Sequence, residues 1–158
     1  MSLLVTRRFA LLGVGASAAG ALAGCNTTPT PAVGASAGAA NVAVDTSPLI
    51  AQSGAPTAQW VQDSLPGALS SVLASQLASG AGVLSVTINS VYLGQGGPGN
   101  PDAMTGVATL GGHSVNVRAI SVYTPSPADT ALVEQTNHYR VVALSQAFAY
   151  RLRKKWRQ

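Results

Sequence analysis

Few side chains in this chain of 158 residues have the chemistry for covalent or acid–base work, and their spacing says what they could do. The one thiol is Cys25, in the stretch "ALAGCN". A single sulfur forms no internal disulfide, and no cluster of His or carboxylate surrounds it to complete a metal site. The histidines are His113 and His138; the carboxylates are Asp45, Asp63, Asp102, Asp129 and Glu134. None falls in an H-E-x-x-H, G-x-S-x-G or paired-cysteine arrangement, the local spacings that gather metal ligands or set a base beside a nucleophile. Ser is abundant, yet no His and Asp are spaced to activate one. His113 reads as a strand-start residue and His138 as a first-turn helix residue. The expectation is a protein that is not an enzyme, with no catalytic residue, metal or cofactor.

Charge carries a stronger signal. Arg151, Arg153, Lys154, Lys155 and Arg157 crowd the stretch "RLRKKWRQ". Cations near a helix C-terminus stabilise it through the helix dipole by about 0.3–1 kcal/mol each. Five exceed that need. Beside an anionic lipid surface each Lys or Arg contributes about 1 kcal/mol, so the cluster is a candidate contact for an anionic lipid or glycolipid. Trp156 within it suits either a core or an interface. The pI near 9.7 invites a nucleic-acid reading. Without Arg7 and Arg8, however, the formal net charge falls from +4 to +2. Most of the remaining cations belong to this tail, so no nucleic-acid partner is expected. The other candidate contact is "GQGGPGNPDA", residues 94–103. It lacks the Lys and the G-x-x-x-x-G-K-[ST] spacing of a phosphate loop. It reads as a long flexible hairpin connection, with a binding loop as the alternative.

The segment that carries Cys25 has three parts. "MSLLVTRR" is a short positive head, "FALLGVGASAAGALAG" is moderately apolar, and small residues lead up to the cysteine. That is the pattern of an export signal and is set aside in reasoning about the fold. "GVGASA" inside it matches a dinucleotide-binding pattern but follows no strand. Leu22-Ala23-Gly24-Cys25 resembles the lipobox of bacterial lipoproteins: an aliphatic residue, two small residues, then Cys. The resemblance implies a diacylglyceryl group on the Cys25 thiol, removal of residues 1–24, and acylation of the new amino group, palmitate being one such chain. "TRRFALLG" is similar to a twin-arginine export signal through Arg7 and Arg8. Phe9 follows that pair directly, where the family usually leaves one residue between, so twin-arginine and general secretory routes both stay open. Asn26 is not the Asp that, by family resemblance, tends to retain lipoproteins in the inner membrane. The implied address is the outer membrane, facing the periplasm.

Residues 26–41 are mostly Pro, Thr, Ser, Ala and Gly without periodicity, a flexible linker that spans about 50 Å at full stretch. Residues 42–158 form one small domain. Apolar residues make up 47% of the chain but aromatics only 5%, which leaves the core to Val, Leu and Ala. No run of about twenty strongly apolar residues follows Cys25, so no transmembrane helix is expected there.

Val42 and Val44 mark a short first strand ending near Pro48. Val61, Leu65, Leu69, Val72 and Leu77 recur at helical spacing behind a candidate N-cap at Thr57. Pro66 calls for a kink, or for a fresh helix start capped by Ser64. In the next strand Leu84, Val86, Ile88 and Tyr92 alternate with polar residues. Gly111-Gly112 then signals a two-residue hairpin pairing Leu110 with His113, Ala108 with Val115, Gly106 with Val117 and Met104 with Ala119. The opposite face receives Thr109 with Ser114, Val107 with Asn116 and Thr105 with Arg118. Ser126, Pro127 and Asp129 resemble a capping box. Val141, Leu144, Phe148, Leu152 and Trp156 make a final helical stripe. The pattern predicts an α+β fold, β-α-β-β-β-α, with an antiparallel sheet of three to four strands covered on one face by two helices.

A lipobox, a Pro/Ala linker and one such domain resemble, as a layout, the lipopolysaccharide-assembly lipoprotein and the auxiliary lipoproteins of lipid-transport ABC systems. No functional residue carries over from them. The resemblance implies an accessory or scaffold lipoprotein, held to the membrane by its lipid anchor and working with an envelope protein partner. The alternative is direct binding of an anionic envelope lipid through the basic helix end.

Overall fold

The computed structural model describes residues 41–157 apart from Ser79, Ala81 and Ala131. Cys25, the signal residues Arg7, Arg8, Leu22, Ala23 and Gly24, and the linker up to residue 40 lie outside the described residues. Four strands share one sheet in the order β1 (Val42–Asp45), β2 (Leu84–Tyr92), β3 (Asp102–Leu110) and β4 (His113–Ser121). Helix α1 (Ser47–Val72) and the single turn α2 (Ala74–Leu77) lie between β1 and β2 in the chain. A 3-10 turn, Pro127–Thr130, precedes the last helix, α3 (Val133–Trp156). The class is α+β; the expected helical stripe through Leu77 is divided into α1 and the single turn α2, and the helix start expected at Ser126 and Pro127 forms only a 3-10 turn.

The sheet is mixed and not wholly antiparallel. β1 runs parallel to β2, with Val42 opposite Leu84 and Val44 opposite Val86. Helices α1 and α2 make a crossover between them, and a crossover returns the chain in its original direction where a tight turn reverses it. The β2–β3 and β3–β4 pairs are antiparallel. The β3–β4 register is the expected one from Leu110 opposite His113 to Met104 opposite Ala119. Gly111 and Gly112 have φ of 56° and 81°, as both central residues of a type I′ turn require.

One residue changes the reading of β2. Pairing steps from Ile88 opposite Gly106 to Ser90 opposite Thr105, so Asn89 is an extra, bulged residue. An extra residue shifts the alternation of everything after it. Leu84, Val86 and Ile88 are buried as expected, but beyond the bulge Val91 is buried and Tyr92 is 53% exposed.

Helix α1 also departs from expectation. Pro48 lies in its first turn, where the missing N–H leaves no bond unmade, and the Asp45 carboxylate accepts the Ser47 N–H at 2.9 Å. The range joins two helical stretches across Gly54, and the stretch that carries Val61, Leu65 and Leu69 begins just after that residue, a little before Thr57. Its non-helical break is at Gly54 (φ 81°, ψ 161°), and Pro66 lies buried within the helix. Ser64 caps nothing. Its hydroxyl donates to the Trp60 carbonyl at 2.7 Å and lies 2.8 Å from the Ser145 hydroxyl, linking α1 to α3.

The core gathers Val61, Leu65 and Leu69 of α1, Val141, Leu144, Phe148 and Leu152 of α3, and the inward residues of all four strands. Trp156 is partly buried against this core. Helix α1 packs on β1 and β2, α3 on β3 and β4, and the two helices on each other. Among the described residues no helix is long and apolar enough to cross a membrane.

Candidate functional site

Helix α3 carries the residues that matter, and its two ends treat positive charge in opposite ways. Towards its start, Arg140 faces Asp102, the first residue of β3; their side chains are 11% and 1% exposed. Arg140 Nε donates to Asp102 Oδ2 at 3.0 Å and Nη2 to Oδ1 at 2.5 Å. This two-point pairing is the strong geometry for a guanidinium and a carboxylate. Asp102 Oδ1 also accepts the Gly94 N–H at 2.9 Å, while Arg140 Nη2 reaches the Gly94 carbonyl. Arg140 Nη1 donates to Asn137 Oδ1 at 3.2 Å.

These bonds grip the segment 94–103, expected to be flexible. Gly97 N–H donates to the Tyr123 carbonyl at 2.8 Å, and the Tyr92 hydroxyl donates to Asn100 Oδ1 at 2.9 Å. At Gly94 a Cβ would overlap the Asn100 carbonyl oxygen, so the close approach requires glycine. The loop is anchored at both ends.

The Arg140 guanidinium lies 4.4 Å from the centre of the Tyr123 ring, a favourable cation–π placement. The Tyr123 hydroxyl donates to Asp129 Oδ2, which also accepts the Ser126 N–H at 2.6 Å. That second bond supplies half of the expected capping box, but it caps the 3-10 turn. Helix α3 itself begins at Val133, so His138 is in its second turn and not its first. The bond from Tyr123, followed by that from Ser126, holds the Asp129 carboxyl below the usual carboxylate range. The same bond to Asp129, with some desolvation, raises the Tyr123 hydroxyl above its usual value. A cavity of about 250 Å³ is lined by Asp102, Tyr123, Asp129, Thr136 and Arg140 among others. Each ionised group in it has a partner within the fold.

At the far end of α3, Arg151, Lys154, Lys155 and Arg157 are exposed. Arg153 is partly exposed, with its guanidinium 5.3 Å from the centre of the Tyr150 ring. Among the described residues no carboxylate pairs with any of the five. They line two depressions. Arg153, Lys154 and Arg157 line a shallow depression with Tyr150, of about 470 Å³. Arg151 and Lys155 line another, of about 310 Å³, together with Arg118 of β4 and with Asn89, Thr105 and Asn116. Arg118 was not among the expected contact residues. The hairpin register, which sets it opposite Thr105, was the signal that placed it on the sheet's polar face.

The histidines stand apart from each other. His113 is exposed at the hairpin turn, while the His138 ring stacks on Trp60 at 5.7 Å between centroids. His138 and Glu134 line a common open depression of about 440 Å³, without a hydrogen bond between them among the described residues. No protein-family model matches the chain, and no curated protein or solved structure matches it.

Proposed function

We propose that this chain is a noncatalytic, membrane-anchored lipoprotein of the bacterial envelope, placed at the outer membrane facing the periplasm. It serves there as an accessory or scaffold in an outer-membrane or lipid-transport assembly. The observation that carries this reading is Leu22-Ala23-Gly24-Cys25 behind a cationic head and a moderately apolar segment. Acyl chains on Cys25 contribute about 0.8 kcal/mol per buried CH₂, and two or more give a stable anchor.

The domain's own chemistry supports a structural role. Asp45, Asp63, Asp102 and Asp129 all accept hydrogen bonds within the fold. In this reading the two long helices cover one face of the sheet in the β-α-β-β-β-α order, and the polar face is left for a partner. The test pairs lipid labelling with mild cross-linking in envelope preparations. Cys25→Ala should lose all lipid label and release or stall the precursor, while the parent chain cross-links to one recurrent envelope protein. Label persisting on Cys25→Ala, or no recurrent partner, would sink it.

A second reading, direct contact with an anionic lipid or glycolipid, is favoured by the exposed cations at the end of α3, unpaired with carboxylates. It predicts salt-sensitive vesicle binding that Arg153→Gln, Lys154→Gln and Lys155→Gln together remove.

A further inference from the structure

Arg118, Arg151 and Lys155 come from separate parts of the sequence and line a single depression. Arg151 and Lys155 stand one helical turn apart on one face of α3, where like charges repel. Arg118 arrives from the edge strand β4, between the buried residues Val117 and Ala119. Helix-dipole stabilisation accounts for cations in the last turn of α3 and for nothing on a strand. Among the described residues no carboxylate pairs with any of the three. The fold thus holds three like charges around one concavity without neutralising them.

The rest of the lining is mixed: Gly106 and Val117 contribute beside the polar groups of Asn89, Thr105 and Asn116. The bulge in β2 contributes Asn89, and bulges often re-aim a side chain beside a binding site. Asn116 adds a second amide, and neither amide is engaged by a hydrogen bond among the described residues. The volume of about 310 Å³ lies at the small end of ligand sites, which run from about 300 to 1,000 Å³. No aromatic ring lines it, so nothing offers a base a stacking platform.

We infer that this depression binds a phosphoryl group, with Arg118, Arg151 and Lys155 as its cations and Asn89 and Asn116 as neutral donors. A carboxylate has one charge and two oxygens and would leave a cation unmatched. A terminal phosphoryl group offers three acceptor oxygens and up to about two negative charges. Guanidinium forks match its geometry, and Lys adds a compact point charge. The inference rests on the second reading above and sharpens it from a charged helix end to a defined site. The phosphoryl group has two sources, a lipid head group or a soluble phosphate.

The test uses the full chain in neutral detergent micelles, with affinity read by tryptophan fluorescence. One arm titrates inorganic pyrophosphate, and the other mixes phosphatidic acid, a lipid whose head group is a terminal phosphoryl group, into the micelles. Arg118→Gln should weaken binding by about tenfold, the loss of one charge-assisted hydrogen bond. Lys155→Gln, on the exposed helix surface, should do the same without touching the sheet, and melting curves check that both variants fold. Arg153→Gln, Lys154→Gln and Arg157→Gln combined should leave pyrophosphate affinity within about twofold, since those side chains line the other depression. Weakening in both arms, or in one alone, supports the site; the arm affected names the source. Parental affinity in both Arg118→Gln and Lys155→Gln, or no binding of either probe by the parent chain, overturns it. Lipid binding lost only in the triple variant would sink this site and leave the surface-contact reading standing.

Discussion

Arg140 and Arg151 belong to the same helix and have the same side chain, yet the fold uses them for opposite ends. Arg140 is almost enclosed, pairs with a fully buried Asp102, and holds the Gly94 loop through the same guanidinium. Arg151 is exposed, and no carboxylate pairs with it among the described residues. A buried charge without a partner costs several kcal/mol, so burial commits Arg140 to one geometry. An exposed charge is solvated and screened and is worth little to stability. It remains free to meet a ligand. Position along one helix therefore divides a cation locked into the fold from one left open to solvent.

The sharpest way to break this contrast is to remove each cation in turn. Arg140→Gln leaves the Asp102 carboxylate buried and uncompensated and should cost about 3–5 kcal/mol, measured by urea denaturation. Arg140→Met with Asp102→Leu should recover much of that loss, because replacing both partners removes the orphaned charge. Arg151→Gln should move stability by no more than about 0.5 kcal/mol while weakening phosphoryl binding. Equal destabilisation at the two positions would erase the distinction.

A smaller test concerns the shell behind Arg140. Tyr123→Phe keeps the ring under the guanidinium but removes the hydroxyl bond to Asp129, which should lower stability by less than the loss of Arg140. The pH dependence should change with it. Asp129 has a lowered pKa in the folded chain, so its contribution is complete above the unfolded carboxylate pKa. It is lost as pH falls through the folded value. Tyr123 has a raised pKa, so its contribution is complete below the unfolded tyrosine value and is lost as pH rises through the folded one. Tyr123→Phe should flatten both limbs of a stability–pH curve recorded by thermal melts. An unchanged acid limb would separate Asp129 from Tyr123.

Much of the fold was legible because local rules govern it. Gly111-Gly112 set a hairpin whose every pairing follows once the turn is placed. The stripe through Val141, Leu144, Phe148 and Leu152 marks the buried face of α3 because helical spacing repeats with the backbone. Misreadings arose where one residue redirected a pattern. Asn89 inserts a bulge and moves Tyr92 outward, while Pro48, read as the end of a strand, opens a helix instead. The basic helix end was legible as charge. Its division between two depressions was not, because that depends on which strand lies beside each cation.

Local periodicity and turn chemistry, which act over a few residues, determined the α+β class, the hairpin register and the core face of α3. The resemblance of Leu22-Ala23-Gly24-Cys25 to a lipobox likewise rests on sequence alone. Tertiary structure decided the parallel pairing of β1, the Asp102–Arg140 bond across 38 positions of the chain, and the gathering of Arg118 with Arg151 and Lys155. Hydrogen bonds and ion pairs act only at contact distances, and docking of the elements settles which distant residues come within them.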